Sequence, residues 1–263
     1  MTNTRPLAMV TGGSSGIGLE LARQFAEHGY DVAITGSSSK VDNAARSLRE
    51  LGVEAYPYQA DAATYEGVEG FWTFVRDLGR PVEAAALNVG IGIGGAFVDN
   101  ALEDEFRLIA INVTGTVHLA KRVVQHMVPN GSGRILITSS VSATQPTPYE
   151  TTYGPSKAFG YMFAESLREE LRGTGVTVTA LLPGATDSQF HENAGLAGSV
   201  IGLSKKNDKR DVAREGFDAL MADKDHVVGG DDQTKQVVID NRTTSEPVKA
   251  ARHAINMKPP RPQ

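Results

Sequence analysis

The chain has no cysteine. Disulfide staples, thiolate nucleophiles and cysteine metal sites are therefore excluded. Basic residues are not in excess either: 26 Lys and Arg face 31 Asp and Glu, a formal net charge of −5. That balance gives no electrostatic footprint for nucleic acid. No apolar run approaches the length that spans a bilayer. Met1 to Pro6 is polar, without the charged start and apolar centre of a secretion signal. These absences lead us to expect a cytoplasmic protein with no membrane or nucleic-acid partner. There is also no internal repeat at a solenoid period.

What is present fits one α/β domain over residues 1–263, of which 40% are hydrophobic and 22% charged. Short apolar runs read as strands at Leu7–Val10, Asp31–Thr35, Ala55–Gln59, Ala84–Leu87, Arg134–Thr138 and Val176–Leu182. Pro57 weakens the third. Apolar residues at helical spacing mark Gly16–His28, Val41–Leu51, Tyr65–Leu78, Leu102–Met127, Thr151–Leu171 and Asp211–Met221. The alternation predicts βαβ units: a doubly wound, mostly parallel sheet with helices on both faces. Residues from about 187 to 210 lack clear periodicity and suit a substrate lid, with Leu196, Val200, Ile201 and Leu203 as its apolar inner surface. From about 231 to 263 the chain reads as a polar tail with frayed last residues.

Chemistry concentrates at Tyr153-Gly154-Pro155-Ser156-Lys157. A phenol has an ordinary pKa of about 10 and is a poor acid or base at neutral pH. A cation beside it favours the phenolate, and Lys157 shares a helix face with Tyr153 at i, i+4. Ser140, from a strand end, would add a hydrogen bond. Alone, this spacing is common, and an exposed pair on a helix surface is its ordinary reading.

A second motif lies between the first strand and first helix, Thr11-Gly12-Gly13-Ser14-Ser15-Gly16-Ile17-Gly18. Glycines let backbone approach a pyrophosphate, and the helix start offers unpaired N–H groups and a positive dipole end.

With these motifs in this order the sequence resembles the short-chain dehydrogenase/reductase family, whose fold is Rossmann-like. Thr11, Gly12, Ser14, Ser15, Gly16, Ile17 and Gly18 match its nucleotide loop. The resemblance puts Asp61 and Ala62 near the adenine, although Asp61 alone would read as a turn residue. Asn88-Val89-Gly90 is similar to the family's N-A-G motif, with Leu87 where a first asparagine is common. Pro183-Gly184 matches its P-G motif, followed by Thr186 and by Ser188 where a threonine is usual. Asn112, otherwise an ordinary polar residue, matches the fourth member of a catalytic set with Ser140, Tyr153 and Lys157. The match runs from about residue 7 to about residue 190.

The resemblance implies an oxidoreductase that moves a hydride between a nicotinamide cofactor and a carbonyl or secondary alcohol. Tyr153 would be the general acid or base, and Ser140 would steady the same oxygen. Lys157 would lower the tyrosine pKa and hold the nicotinamide ribose, and Asn112 would support a relay water. Substrate contacts are expected from Ile91, Ser142, Tyr149 and Phe190, around a mostly apolar ketone, aldehyde or alcohol. A 3-oxoacyl-carrier-protein reductase is the alternative. Gln125-His126-Met127-Val128-Pro129-Asn130 lacks the basic residues that dock an acidic carrier. A non-catalytic dinucleotide sensor is the reading from another class. The resemblance also implies a homodimer or homotetramer built on the helices Leu102–Met127 and Thr151–Leu171.

No metal is expected: the six histidines lack ligand spacing and read as structural or surface residues, with His191 beside the site. For the cofactor, Gly36 stands where NAD-preferring members carry an acid, and Ser37, Ser38, Ser39 and Lys40 follow. Hydroxyls, N–H groups and an ammonium can bind a 2′-phosphate, so NADP(H) is expected over NAD(H), with Gly36→Asp as the change that reverses it. The ordinary reading of those serines is a polar turn capping the next helix.

Overall fold

Leu7 and Met9 enter one apolar layer, and Ala8 and Val10 enter another. That alternation is the two-residue period of a strand buried on both faces. The computed structural model describes residues 5–257. Seven strands are found among them: β1 (Leu7–Val10), β2 (Asp31–Gly36), β3 (Ala55–Gln59), β4 (Val82–Leu87), β5 (Gly133–Thr138), β6 (Val176–Pro183) and β7 (His226–Gly229). They form one sheet in the order β3-β2-β1-β4-β5-β6-β7, and every pairing is parallel. Pro57 is tolerated because β3 is an edge strand, where a missing donor costs least.

The helices are α1 (Gly16–Glu27), α2 (Lys40–Arg49), α3 (Tyr65–Arg76), α4 (Leu102–Ile109), α5 (Thr116–Asn130), α6 (Tyr153–Glu170), α7 (Phe190–Asn193), α8 (Val200–Leu203), α9 (Lys209–Met221), α10 (Asp232–Asn241) and α11 (Glu246–Met257). α1, α2 and α9 cover one face through Leu21, Phe25, Leu48 and Phe217. α3, α5 and α6 cover the other through Phe71, Val123, Met127 and Ala164. This is the doubly wound, Rossmann-like architecture the sequence predicts. The strand order reverses between β1 and β4, so a crevice opens at their carboxyl ends.

Three expectations need correction. The helix expected over Leu102–Met127 is broken: a π-helical turn, Ala110–Gly115, separates α4 from α5. One widened turn leaves the apolar spacing nearly intact, so periodicity does not reveal it. The expected polar tail is folded as α10 and α11, which bury Val238, Asn241, Lys249, His253 and Met257. Lysine and histidine on the buried face conceal its amphipathic pattern. The expected fraying at the end falls on residues 258–263, outside the described residues. In the lid segment, Leu196 and Ile201 do turn inward, but Val200 and Leu203 are exposed.

Candidate active site

The loop from Thr11 to Gly18 is shaped by close approach. Gly12 has φ of +66°, and a Cβ on Gly18 would lie 2.2 Å from the carbonyl oxygen of Gly12. Thr11 braces the loop from beneath: its Oγ1 accepts from the N–H groups of Asn88 (2.9 Å) and Val89 (3.0 Å). α1 follows with Ser15 extended, no side-chain cap and no acid in its first turn. Its first N–H groups and positive dipole end therefore face the crevice uncompensated, which suits a dinucleotide's pyrophosphate.

The crevice is a cleft of about 850 Å³. Gly12, Ser14, Ser15, Gly16, Ile17, Gly18, Ser37, Asp61, Ala62, Asn88 and Gly90 line its nucleotide side, with Pro183, Gly184, Thr186 and Ser188 facing them. Ser140, Tyr153, Lys157, Ile91, Ser142 and Phe190 line its other end. Four expected site residues lie apart from this wall. Thr11 lines a small neighbouring cavity with Ala62 and Gly115. Ser38 does not reach the cleft. Tyr149 packs instead on the apolar cluster of Ala194, Leu196 and Met257.

Asn112 is the fourth, and it braces its neighbours. Its Oδ1 accepts from Ile91 N–H at 2.9 Å, while its Nδ2 donates to the Ile91 carbonyl and to Ser156 Oγ, each at 2.9 Å. Ser156 Oγ donates in turn to the Tyr153 carbonyl at 2.7 Å. The π-helical turn thus presents an amide that ties the loop after β4 to the start of α6. Asp61 is held by Arg107, whose two terminal nitrogens reach its carboxylate at 3.0 and 3.1 Å. This pairing, with Ala63 N–H, holds its carboxyl below the usual range. Sequence reading missed Arg107, because its partner lies on another element.

Tyr153 and Ser140 line the cleft together, and Ser140 Oγ accepts from Ser142 N–H at 3.1 Å. Lys157 Nζ donates to the Thr138 carbonyl at 3.1 Å and stands 5.8 Å from the Tyr153 ring centre. Burial pushes the Tyr153 phenol up, and the charge of Glu150 adds to this, against the lowering influence of the Ser140 hydroxyl. Lys157 is not among the groups that set this direction, which burial dominates. Burial also pulls the Lys157 ammonium down to about 8. Phe190 flanks the tyrosine with ring centres 5.2 Å apart. His191 lines the cleft with its Nδ1 buried and unpartnered, and burial, then the charge of Lys206, brings it down to about 4.

Glu150 was missed in the sequence, although it sits three residues before Tyr153. It lines the cleft, is buried, and meets His253 of α11, a histidine read from sequence as structural or surface. Glu165, Asp225 and His226 bring ligand atoms within 4.8 Å of one another in space, without lining the cleft.

A parallel sheet with a glycine loop at its switch point and a serine–tyrosine–lysine cluster beside it defines a dinucleotide-dependent class of protein. The sequence profile of the short chain dehydrogenase family matches residues 6–197. The chain belongs to the short-chain dehydrogenase/reductase family. It is similar to the probable oxidoreductase EphD of Mycobacterium tuberculosis, at 35% identity over 191 residues, 72% of this chain and 32% of that protein. The chain thus spans about a third of the length of this relative. A short-chain dehydrogenase from Sphingobium yanoikuyae in complex with NADPH superposes with a TM-score of 0.80 at 26% identity, covering 98% of each chain. A bulky-bulky ketone specific alcohol dehydrogenase from Comamonas testosteroni gives 0.78 at 25% identity, covering 98% of this chain and 96% of that one. No helix among the described residues is long and apolar enough to cross a membrane.

Proposed function

We propose that this protein is an NADP(H)-preferring carbonyl reductase or secondary-alcohol dehydrogenase acting on mostly apolar substrates. The observation that carries the reading is the buried trio Ser140, Tyr153 and Lys157, lining the same cleft as the Gly12–Gly18 loop. The cradle fits a dinucleotide: glycine where a Cβ would strike backbone, and an uncapped helix start. The similar Sphingobium protein binds NADPH, and the similar Comamonas protein acts on ketones.

NADP(H), when bound, supplies or accepts the hydride. In reduction, the Tyr153 hydroxyl donates its proton to the substrate carbonyl oxygen as negative charge develops there, and Ser140 Oγ donates a hydrogen bond to the same oxygen. In oxidation, the Tyr153 phenolate takes the proton from the alcohol. Lys157, held by Thr138, would bind the nicotinamide ribose, and its positive charge, when present, favours that phenolate. Asn112 acts through position, fixing Ile91 and the first turn of α6. Phe190, Ile91 and the lid keep water from the reacting carbon.

A homodimer or homotetramer is part of the same proposal. Phe106 on α4, Val117 on α5, and Phe159 and Met162 on α6 are large apolar side chains left exposed. Light scattering at micromolar concentration should give a multiple of 28.0 kDa. The decisive test is NADPH oxidation with a panel of ketones, with NADP+ reduction by the matching alcohols. Nucleotide binding without turnover of any ketone, aldehyde or alcohol would refute the reading.

A further inference from the structure

The segment that reads as a polar tail folds into α10 and α11, and α11 lies against the lid and the loop between Ser140 and Tyr153. Polar contacts fasten both helices. Asn241 Nδ2 donates to Thr144 Oγ1 at 2.7 Å, and Lys249 Nζ donates to the Thr144 carbonyl at 3.3 Å. His253 Nε2 stands 3.3 Å from Glu150 Oε2. Asn241, Lys249, His253 and Glu150 are all buried, so displacing the helix would strand polar groups away from water. The register of α11 over the site is therefore fixed.

One turn beyond His253, Met257 is buried at 2% exposure against Ala194, Leu196, Ile201 and Tyr149. It also lines the cleft that contains Tyr153 and Lys157. Tyr149 is held here under strain. Its φ is +66°, a left-handed conformation rare for an aromatic residue, and its carbonyl accepts from Gly95 N–H at 2.9 Å. One side of the substrate end is thus bounded by the paired rings of Tyr153 and Phe190. The side toward the lid is bounded by Ala194 and Ile201 of the lid and, among the described residues of α11, by the Met257 thioether.

We propose that Met257 is a specificity-determining residue: it forms the far wall of the substrate site and sets how large a group the substrate can place beyond its reacting carbon. The proposal rests on the carbonyl reading above. It assigns the end of α11, in the same chain, to the active site.

The test is a series of methyl ketones whose second substituent grows from ethyl to phenylethyl, reduced by the wild type, Met257→Leu and Met257→Ala. A single methylene gained or lost in an apolar pocket shifts discrimination by about 10- to 200-fold. Met257→Ala should therefore raise kcat/KM for the largest ketone relative to the smallest by about tenfold or more, chiefly through KM. Met257→Leu, which conserves volume, should leave the ratio near that of the wild type. If Met257→Ala does not fold, Met257→Phe probes the wall from the other direction and should lower the ratio. An unchanged ratio in the folded variant overturns the proposal. Calorimetric titration of the NADP+-loaded protein with N-methylamides of the same substituents tests the wall without turnover. The affinity order should follow the ketones and shift in Met257→Ala; an order that does not shift overturns the proposal. If no ketone is reduced, the functional reading fails while the amide series still tests the wall.

Discussion

Glu150 Oε2 and His253 Nε2 meet at 3.3 Å inside the protein, joining the last helix to the turn that precedes Tyr153. Gln145 Nε2 stands 3.1 Å from His253 Nδ1. Donation there leaves the ring proton on Nε2, facing the carboxylate. Burial pushes the Glu150 carboxyl up and His253 opposes it. The charge that remains on Glu150 helps to push the Tyr153 phenol up. One buried pair thus anchors the C-terminal helix and biases the proton of the candidate acid.

Glu150→Gln keeps the shape and removes that charge. The Tyr153 phenol should then ionise at lower pH, since a like charge no longer disfavours its anion. In alcohol oxidation Tyr153 acts as the base, so kcat/KM rises as the phenol deprotonates. The rising limb of the pH profile should move to lower pH in the variant. An unmoved limb, or one moved upward, would disconnect Glu150 from Tyr153.

Tyr153→Phe keeps the ring against Phe190 and removes the proton. Turnover should fall by about 10² or more, the range typical of lost acid–base catalysis. Nucleotide binding, followed by calorimetry, should survive because the Gly12–Gly18 loop is untouched. Near-normal activity would sink the assigned role.

Lys157 gives a stability prediction opposite in sign to its catalytic one. Its folded pKa of about 8 lies below the ordinary lysine value of 10.5. Between these values the unfolded chain holds a proton the native protein has released, so stability rises with pH across that window. Below about pH 8 the buried charge costs the fold up to about 3 kcal/mol. Lys157→Met should therefore melt higher than wild type at pH 7, with the gap closing by about pH 10, while turnover is lost. A variant that melts lower at pH 7 would contradict this.

The motifs were legible because glycine loops and short buried strands carry their information locally. Gly12, Gly16, Gly18, Ser140, Tyr153 and Lys157 come to one cleft as the spacing implies. What escaped the sequence depends on long-range pairing. Arg107 acquires a role only when α4 reaches Asp61, and Glu150 only when α11 reaches it. The C-terminal helices did leave a local trace: Asp231 caps α10 by accepting from Thr234 N–H at 2.9 Å, and Pro247 sits in the first turn of α11. Lys249 and His253 on the buried face hid the apolar stripe that would have completed the pattern.

The cofactor prediction turns on Gly36, the last residue of β2. An acid here would hydrogen-bond an adenosine ribose and repel a 2′-phosphate. The chain has none, and Ser37 beside it lines the cleft. The preference for NADPH should therefore be moderate, about tenfold in kcat/KM, which corresponds to about 1.4 kcal/mol. It would arise from an absent repulsion and a hydroxyl-bearing turn, with no arginine clamp. The structure also changes how the preference can be reversed. A Cβ on Gly36 would lie 2.7 Å from Ser14 Oγ and 2.8 Å from Ser14 Cβ. Gly36→Asp alone should therefore disturb the nucleotide loop and weaken both cofactors, unlike the simple reversal expected from sequence. Pairing it with Ser14→Gly removes both obstructing atoms, and that double variant should prefer NADH. Initial rates with each nucleotide, for the wild type, the single and the double variant, check each of these steps. A wild type that uses NADH as well as NADPH, or a double variant that still prefers NADPH, would refute this account of the turn after β2.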